Sequence, residues 1–583
     1  MRVASAPSLV LFTAVVTFFT QFCANVSVHQ FIEVIYLKRR QVLNGIASLP
    51  ILSTAKLAAD TAPSFVHGVA SGDPDQESLV IWTRVSGLTE SQSVSWQLAL
   101  DSTFKRIVSH GSETTNQYQD YTVKVIVGGL EPGKRYFYRF NCQGVSSAIG
   151  RTRTLPSGNI DRLGLALASC SNYAFGFFNA YDAIARDDAV DFVLHLGDYI
   201  YEYAATGWGA QTALALNRVH SPINEIVSLQ DYRERHAQYK ADPDSRRMHA
   251  AKPLLLVWDD HESANNPWVD GAQNHQPDEE GRWIDRRDSA IRAYYEWMPI
   301  REPNTGADRK AFWRSYQFGN LATLINLESR HTGRSKQIDY ADHAHQITSE
   351  ADAEAFLHDI LEAPGRTMLS AHMVSFLSDE LRRSKREGTA WRLIGNAIPM
   401  ARTPVPNLEA MGITMPGDPS VAPGVSADLV WKGKWGLPLY LDTWDGYPWA
   451  REQLYSLCAA CGVADLLVLT GDSHSFWANT LTSDDGRKLG IEIGTAGITS
   501  PGDFIEQGFD QSTAEQIDSA FATQVPDIRW TSNLYQGYVR LVLTVAGGTT
   551  DYIAVSTVND REYQTSIVRQ ERIARDGQSL KFV

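Results

Sequence analysis

The sequence predicts an α/β fold with sheets flanked by helices, preceded by a small all-β domain. Three observations carry that prediction. Before about Pro156 short runs alternate apolar with polar residues, as half-buried strands do. After it, continuous apolar runs alternate with stretches of helical spacing, as strands buried on both faces do. Four of these later runs end in residues able to bind metals. The 583 residues suffice for one large core or two unequal ones, and 43% hydrophobic content excludes wholesale disorder. With 53 Lys and Arg against 67 Asp and Glu the formal charge is −14, which argues against nucleic acid or an anionic membrane as a standing partner.

Residues 1–60 read as an export region outside the fold. The first apolar stretch, 9–22, is shorter than the roughly 18–20 residues a spanning helix needs. Leu37-Lys38-Arg39-Arg40, a weakly apolar run at 46–52, then Ala55, Ala58 and Ala59 follow the order of a twin-arginine export signal. The alternative is a pair of surface arginines before a short helix. Because the arginines stand far from residue 1, the true start is expected near Leu37. The expected location is periplasmic or extracellular, with no stable membrane span in the mature form. Nothing in the pattern fixes an oligomeric state.

From 61 to 156 the pattern is all-β. Residues 78–84 alternate around Val80 and Trp82, and 122–127 alternate Val123, Val125 and Val127 against polar neighbours. A Pro132-Gly133 turn precedes Tyr136, Tyr138 and Phe140 on one strand face. Roughly seven short strands read as an immunoglobulin-like or fibronectin-III-like sandwich. From 157 to 583 apolar runs occur at 163–168, 190–196, 254–258, 321–327, 391–395 and 466–469, with helices expected at 231–240 and 288–298. Five scattered cysteines make no disulfide framework. Cys458 and Cys461 read as small buried residues in a helix, with a redox pair or half a zinc site as the alternative.

The chemistry sits at four strand ends. The run 163–168 leads to Ser169-Cys170, and 190–196 to Gly197-Asp198-Tyr199-Ile200-Tyr201-Glu202. The run 254–258 leads to Asp259-Asp260-His261-Glu262, and 466–469 to Gly471-Asp472-Ser473-His474. Ligands of such sheets gather at the carboxyl ends of the strands, and burying unpaired charge after an apolar strand is costly without a use for it. Singly each motif is weak: the first Gly-Asp could be a turn, Asp259-Asp260 a helix cap, and Cys170 a small core residue.

Together the motifs resemble the PhoD-like alkaline phosphatase family of the calcineurin-like metallophosphoesterase superfamily. The likeness extends through Phe65 to Pro74, Tyr232-Arg233-Glu234-Arg235-His236, Asp259 to Asn266 and Trp444-Asp445-Gly446-Tyr447-Pro448. Departures are Asn396-Ala397, Glu328-Ser329-Arg330 and Gln536-Gly537-Tyr538, where the family pattern differs. The resemblance implies a metallophosphoesterase-type sheet sandwich. It also implies hydrolysis of small phosphate mono- or diesters by attack of metal-bound hydroxide, with two cations neutralising the phosphoryl oxygens. Cys170, Asp198, Tyr201 and His474 would hold one metal, by resemblance Fe3+. Asp198, as bridge, with Asp260, Asp472 and either Asn396 or Asn265, would hold the second, by resemblance Ca2+.

His261 is expected to contact phosphate or protonate the leaving group, or else to orient a ligand. Arg330 is expected to clamp phosphate, or else to form a structural ion pair. Asp259 and Glu262 are expected behind the ligands. Trp208, Trp268 and Trp444 line a cleft or pack the core, and 502–529 is a candidate lid loop. The rival readings are a phosphodiesterase or phospholipase D-like specialist, and a non-catalytic surface protein.

Overall fold

The computed structural model describes residues 62–416 and 429–583. The expected export region, 1–60, lies outside them. Two sheets share one apolar core. The first has ten strands, and its centre is a parallel set of Leu163–Ala168, Phe192–Leu196 and Leu254–Val257. The second has seven, and its centre is the parallel set Ala322–Asn326, Trp391–Gly395, Leu466–Thr470 and Lys488–Gly494.

Period-two geometry explains why these strands read as unbroken apolar runs. Leu165, Leu167, Leu194, Leu196, Leu255 and Val257 face Leu324 and Leu393 of the second sheet. Their neighbours Ala166, Ala168, Val193 and Leu256 turn to the opposite side. There the helices Asn179–Arg186, Leu229–Ala241 and Trp283–Trp297 bring Tyr181, Tyr232, Tyr239 and Tyr294 against them. The second of these helices starts at a capping box between Ser228 and Asp231. It stops at Asp242, which caps the next helix, Pro243–Ala251, with proline in the first turn.

The strands before residue 154 divide between two layers around their own core of Ile81, Val94, Leu98, Val123, Val125, Tyr136, Tyr138 and Phe140. One layer, containing Gln92–Ala99, Ile107–Thr115 and Arg135–Cys142, is a separate five-stranded sheet. The other, Val69–Gly72, Leu79–Arg84 and Thr122–Val127, is hydrogen-bonded into the ten-stranded sheet, with Gly72 opposite Leu254. Alternation shows which faces are buried but is silent on which strand continues which sheet. The expected loop at 502–529 is instead helical over Asp503–Glu506 and Gln511–Gln524. Phe504, Ile517 and Phe521 from this segment are buried in the main core. No helix among the described residues is long and apolar enough to cross a membrane.

The junction between the N-terminal strands and the large sheet depends on Gly72. A Cβ there would lie 2.8 Å from the carbonyl oxygens of both Leu254 and Pro299. Backbone cannot step aside as a side chain can, so Gly72→Ala should lower unfolding free energy by about 1–3 kcal/mol. Denaturant unfolding checks this, and an unchanged midpoint would show that the junction yields freely.

Candidate active site

The four predicted strand ends converge. Three come from the ten-stranded sheet and one, Leu466–Thr470, from the seven-stranded sheet, so the site closes over the end of the core between them. At three of the four ends the chain turns through left-handed backbone. Cys170, Asp198, Asp472 and His474 have φ of 58°, 55°, 66° and 53°. Such left-handed backbone is uncommon outside glycine and costs of order 1–3 kcal/mol per residue, which suits positions fixed by a task rather than by propensity. At Gly471 a Cβ would fall 2.2 Å from Ser169 Oγ, so glycine is what lets the Asp472 loop lie against the Cys170 loop.

Asp198 is the hub. Its Oδ2 accepts hydrogen bonds from Tyr201 Oη at 3.1 Å and Cys170 Sγ at 3.5 Å. Tyr201 Oη is also 3.5 Å from His474 Nε2 and 3.0 Å from Ser500 Oγ. Donor atoms of Cys170, Asp198 and His474 all lie within 4.8 Å of one another. The same holds for Asp198, Asp260 and His261, and for Asp198, Asp259, Asp260 and Asp472. Asp198 alone belongs to all three groups.

Buried carboxylates behind these residues hold the loops. Glu262 accepts the backbone N–H groups of Asp198, Tyr199 and Asp259 at 3.1, 2.6 and 2.8 Å. Glu328, one of the departures from the family pattern, accepts the N–H groups of Arg330 and His331 and the indole N–H of Trp258. Glu202 binds His261 Nδ1 at 2.7 Å and accepts from the Asn265 N–H and Asn274 Nδ2, each at 2.8 Å. Its role was missed, although it closes the Gly197 to Glu202 motif. An acidic residue there was the available signal, and only the fold shows that it faces His261.

Other expectations fare unevenly. Arg330 is fully buried, 2.5 Å from Asp259, 3.3 Å from Asp472 and 3.6 Å from Asp260. This is the ion-pair arrangement, and only Nη1 lacks a hydrogen-bond partner that a phosphate oxygen could become. The Asn396 amide is engaged at both ends, its oxygen by the Trp444 indole at 3.2 Å and its nitrogen by the Ile398 carbonyl. The Asn265 amide nitrogen donates to Gln273. Asp259, expected behind the ligands, stands among them. Trp444 is buried core, Trp268 stacks against Lys336, and Trp208 lies on His474. Cys458 is buried in the helix Pro448–Ala460, and it and Cys461 are free thiols.

The electrostatics follow from crowding. Burial, then the neighbouring carboxylates, raise the pKa values of Asp198 and Asp472 far above the ordinary range, with His261 and Arg330 opposing. Burial also raises Asp259 against the pull of Arg330. Asp260 goes the other way: burial opposes ionisation, but His261 and Arg330 outweigh it. For His261 burial works against the charge, yet Asp260, Glu202 and Asp198 raise it well above the usual histidine value. Burial and Asp198 push the Cys170 thiol and Tyr201 phenol up, while burial and His261 bring His474 down to about 3.

Asp259 Oδ2, Asp260 Oδ1 and His474 Nδ1 are buried without a hydrogen-bond partner. Four carboxylates facing one guanidinium and one imidazole that favours its charged form, that of His261, with acceptors left over, fit cations. A bound cation reverses the shifts of carboxylate, thiol and phenol by favouring the ionised forms.

Comparison with known proteins agrees with this geometry. The PhoD-like phosphatase family matches residues 165–552, and the N-terminal domain of PhoD-like phosphatases matches 52–156. Alkaline phosphatase D of Bacillus subtilis (strain 168) is 33% identical over 518 residues, covering 85% of this chain and 78% of that protein. A solved structure of PhoD superposes with a TM-score of 0.70 at 29% identity, over 89% of this chain and 92% of that one. A purple acid phosphatase from yellow lupin (Lupinus luteus) seeds gives a TM-score of 0.50 at 12% identity, over 89% and 75%, a likeness of fold alone.

The shifts predict how cation-free protein responds to pH. Asp198, Asp259, Asp472 and His261 have folded pKa values above their unfolded ones, so the folded state retains protons that the unfolded state releases. Their contribution is therefore greatest at low pH and is lost as pH rises through the raised values; Asp260, Glu202 and His474, all lowered by folding, act oppositely. Chelator-treated protein should lose Tm between about pH 6 and about pH 8, and Asp472→Asn should flatten that slope. Parallel Tm curves for the two chelated proteins would contradict the crowding.

Proposed function

The chain belongs to the PhoD-like phosphatases, and from that premise we propose that it hydrolyses phosphomonoesters, phosphodiesters or both at the Asp198 centre. It is a phosphate-ester hydrolase of the metal-dependent kind. The observation that carries the reading is the sharing of Asp198 by three donor groups at converging strand ends. A non-catalytic surface protein would have no call to keep these donors together under backbone strain.

Cys170, Asp198, Tyr201 and His474 would hold one cation. Their thiolate, phenolate and imidazole favour a Lewis-acidic transition ion, in our reading Fe3+. Asp198, Asp260, Asp472 and Asp259 offer oxygen alone and would hold a hard ion, in our reading Ca2+. Neighbouring cations supply neutralisation of the phosphoryl oxygens and acidify water near neutral pH.

The protein's own groups do the rest. His261, its Nδ1 fixed by Glu202, turns Nε2 toward Asp260, 4.0 Å away. There it can donate a proton to the departing ester oxygen. Arg330 offsets carboxylate repulsion, and its Nη1, without a hydrogen bond, lies 3.9 Å from Asp442 Oδ2. Export by the twin-arginine route, delivering a folded and loaded enzyme, is part of this proposal and rests on Arg39 and Arg40. Phosphate release from p-nitrophenyl phosphate by Asp198→Asn should fall by more than about a hundredfold, with far-ultraviolet dichroism unchanged. Near-wild-type turnover would remove Asp198 from the centre.

A further inference from the structure

Solvent reaches the site past Asp472 and His474. The Asp472 and His474 side chains keep 15% and 12% of their exposure, whereas Asp198 and Arg330 are sealed. Trp208 roofs this mouth. It stands just before the helix Ala210–Leu216, on the loop that follows Glu202. Its ring lies on the His474 imidazole with centroids 5.5 Å apart and planes at 17°. Phe175, Tyr201 and Tyr203 surround it, the nearest ring centroid at 4.6 Å. The Trp208 indole N–H donates to the Glu506 carboxylate on the short helix Asp503–Glu506. Tyr440 Oη donates to Asp503 on the same helix. A helix from late in the chain is thus tied across the mouth from two sides. None of Trp208, Tyr440, Asp503 and Glu506 belongs to the donor groups around Asp198.

A phosphomonoester carries one organic arm and a diester carries two. With phosphorus held at the donor groups, a second arm directed past Asp472 and His474 meets Trp208. We propose that Trp208, latched by Glu506, determines substrate specificity by narrowing this exit, so that esters with one bulky arm turn over in preference to those with two. This deepens the phosphoesterase reading and rests on it. Shape discrimination by one side chain in a packed site is typically tenfold or more, and the indole is the largest side chain available for the purpose.

The test compares kcat/KM of the metal-loaded enzyme for p-nitrophenyl phosphate and bis(p-nitrophenyl) phosphate. Trp208→Ala should raise the diester-to-monoester ratio by about tenfold. Glu506→Ala, at a surface position where folding is not at stake, should raise it in the same direction. Glu506→Gln, whose amide oxygen still accepts the indole N–H, should hold the ratio within about twofold of wild type. Unchanged ratios in both alanine variants, or equal losses on both substrates as expected of a residue that only steadies His474, would overturn the inference. If Trp208→Ala does not fold, the Glu506 pair decides. A wild-type enzyme inert toward both esters would instead overturn the phosphoesterase reading, and this inference with it.

Discussion

Asp198, Asp259, Asp260 and Asp472 repel one another in a largely buried volume that water screens poorly, and the architecture around them is a device for holding them there. Carboxylates left to themselves would separate or take up protons, as the raised values of Asp198 and Asp472 show. Their positions are set by strand ends whose hydrogen bonding is satisfied within two sheets. Left-handed turns aim the side chains inward, and Glu262 and Arg330 brace the loops. A cation is the simplest agent that turns this repulsion into attraction.

The same crowding divides the site by chemistry. On one side of Asp198 stand sulfur, phenol and imidazole; on the other, oxygen donors and the Glu202–His261 pair. Two electronically different donor groups that share Asp198 suit a reaction that must both activate water and stabilise a leaving oxygen. The aromatic roof over His474 and the helix Asp503–Glu506 set what can approach the pair.

Much of this could be read from the residues because burial writes plainly into sequence. Strands covered on both faces leave unbroken apolar runs, so 163–168 and 391–395 coincide with the observed strands Leu163–Ala168 and Trp391–Gly395. Charge placed directly after such runs stands out, which is how Cys170, Asp198, Asp260, Asp472 and His474 were singled out, and the fold brings their donor atoms together. Long-range partners leave no local trace. The pairing of Gly72 with Leu254, the capture of the Asn396 amide by Trp444 and the facing of Glu202 toward His261 each join segments far apart in the chain. The segment 502–529 misled for a related reason: its buried residues Phe504, Ile517 and Phe521 are sparse, and polar spacing between them resembles a loop.

Cation capacity is the point on which the account stands. Elemental analysis of protein purified after supply of iron and calcium, set beside the same analysis of Cys170→Ala, addresses it most directly. Wild-type protein should hold about two ions per chain, and removal of the thiol should cost the transition metal while the hard ion is retained. A wild-type protein that holds no ion after such loading, while remaining folded, would contradict it.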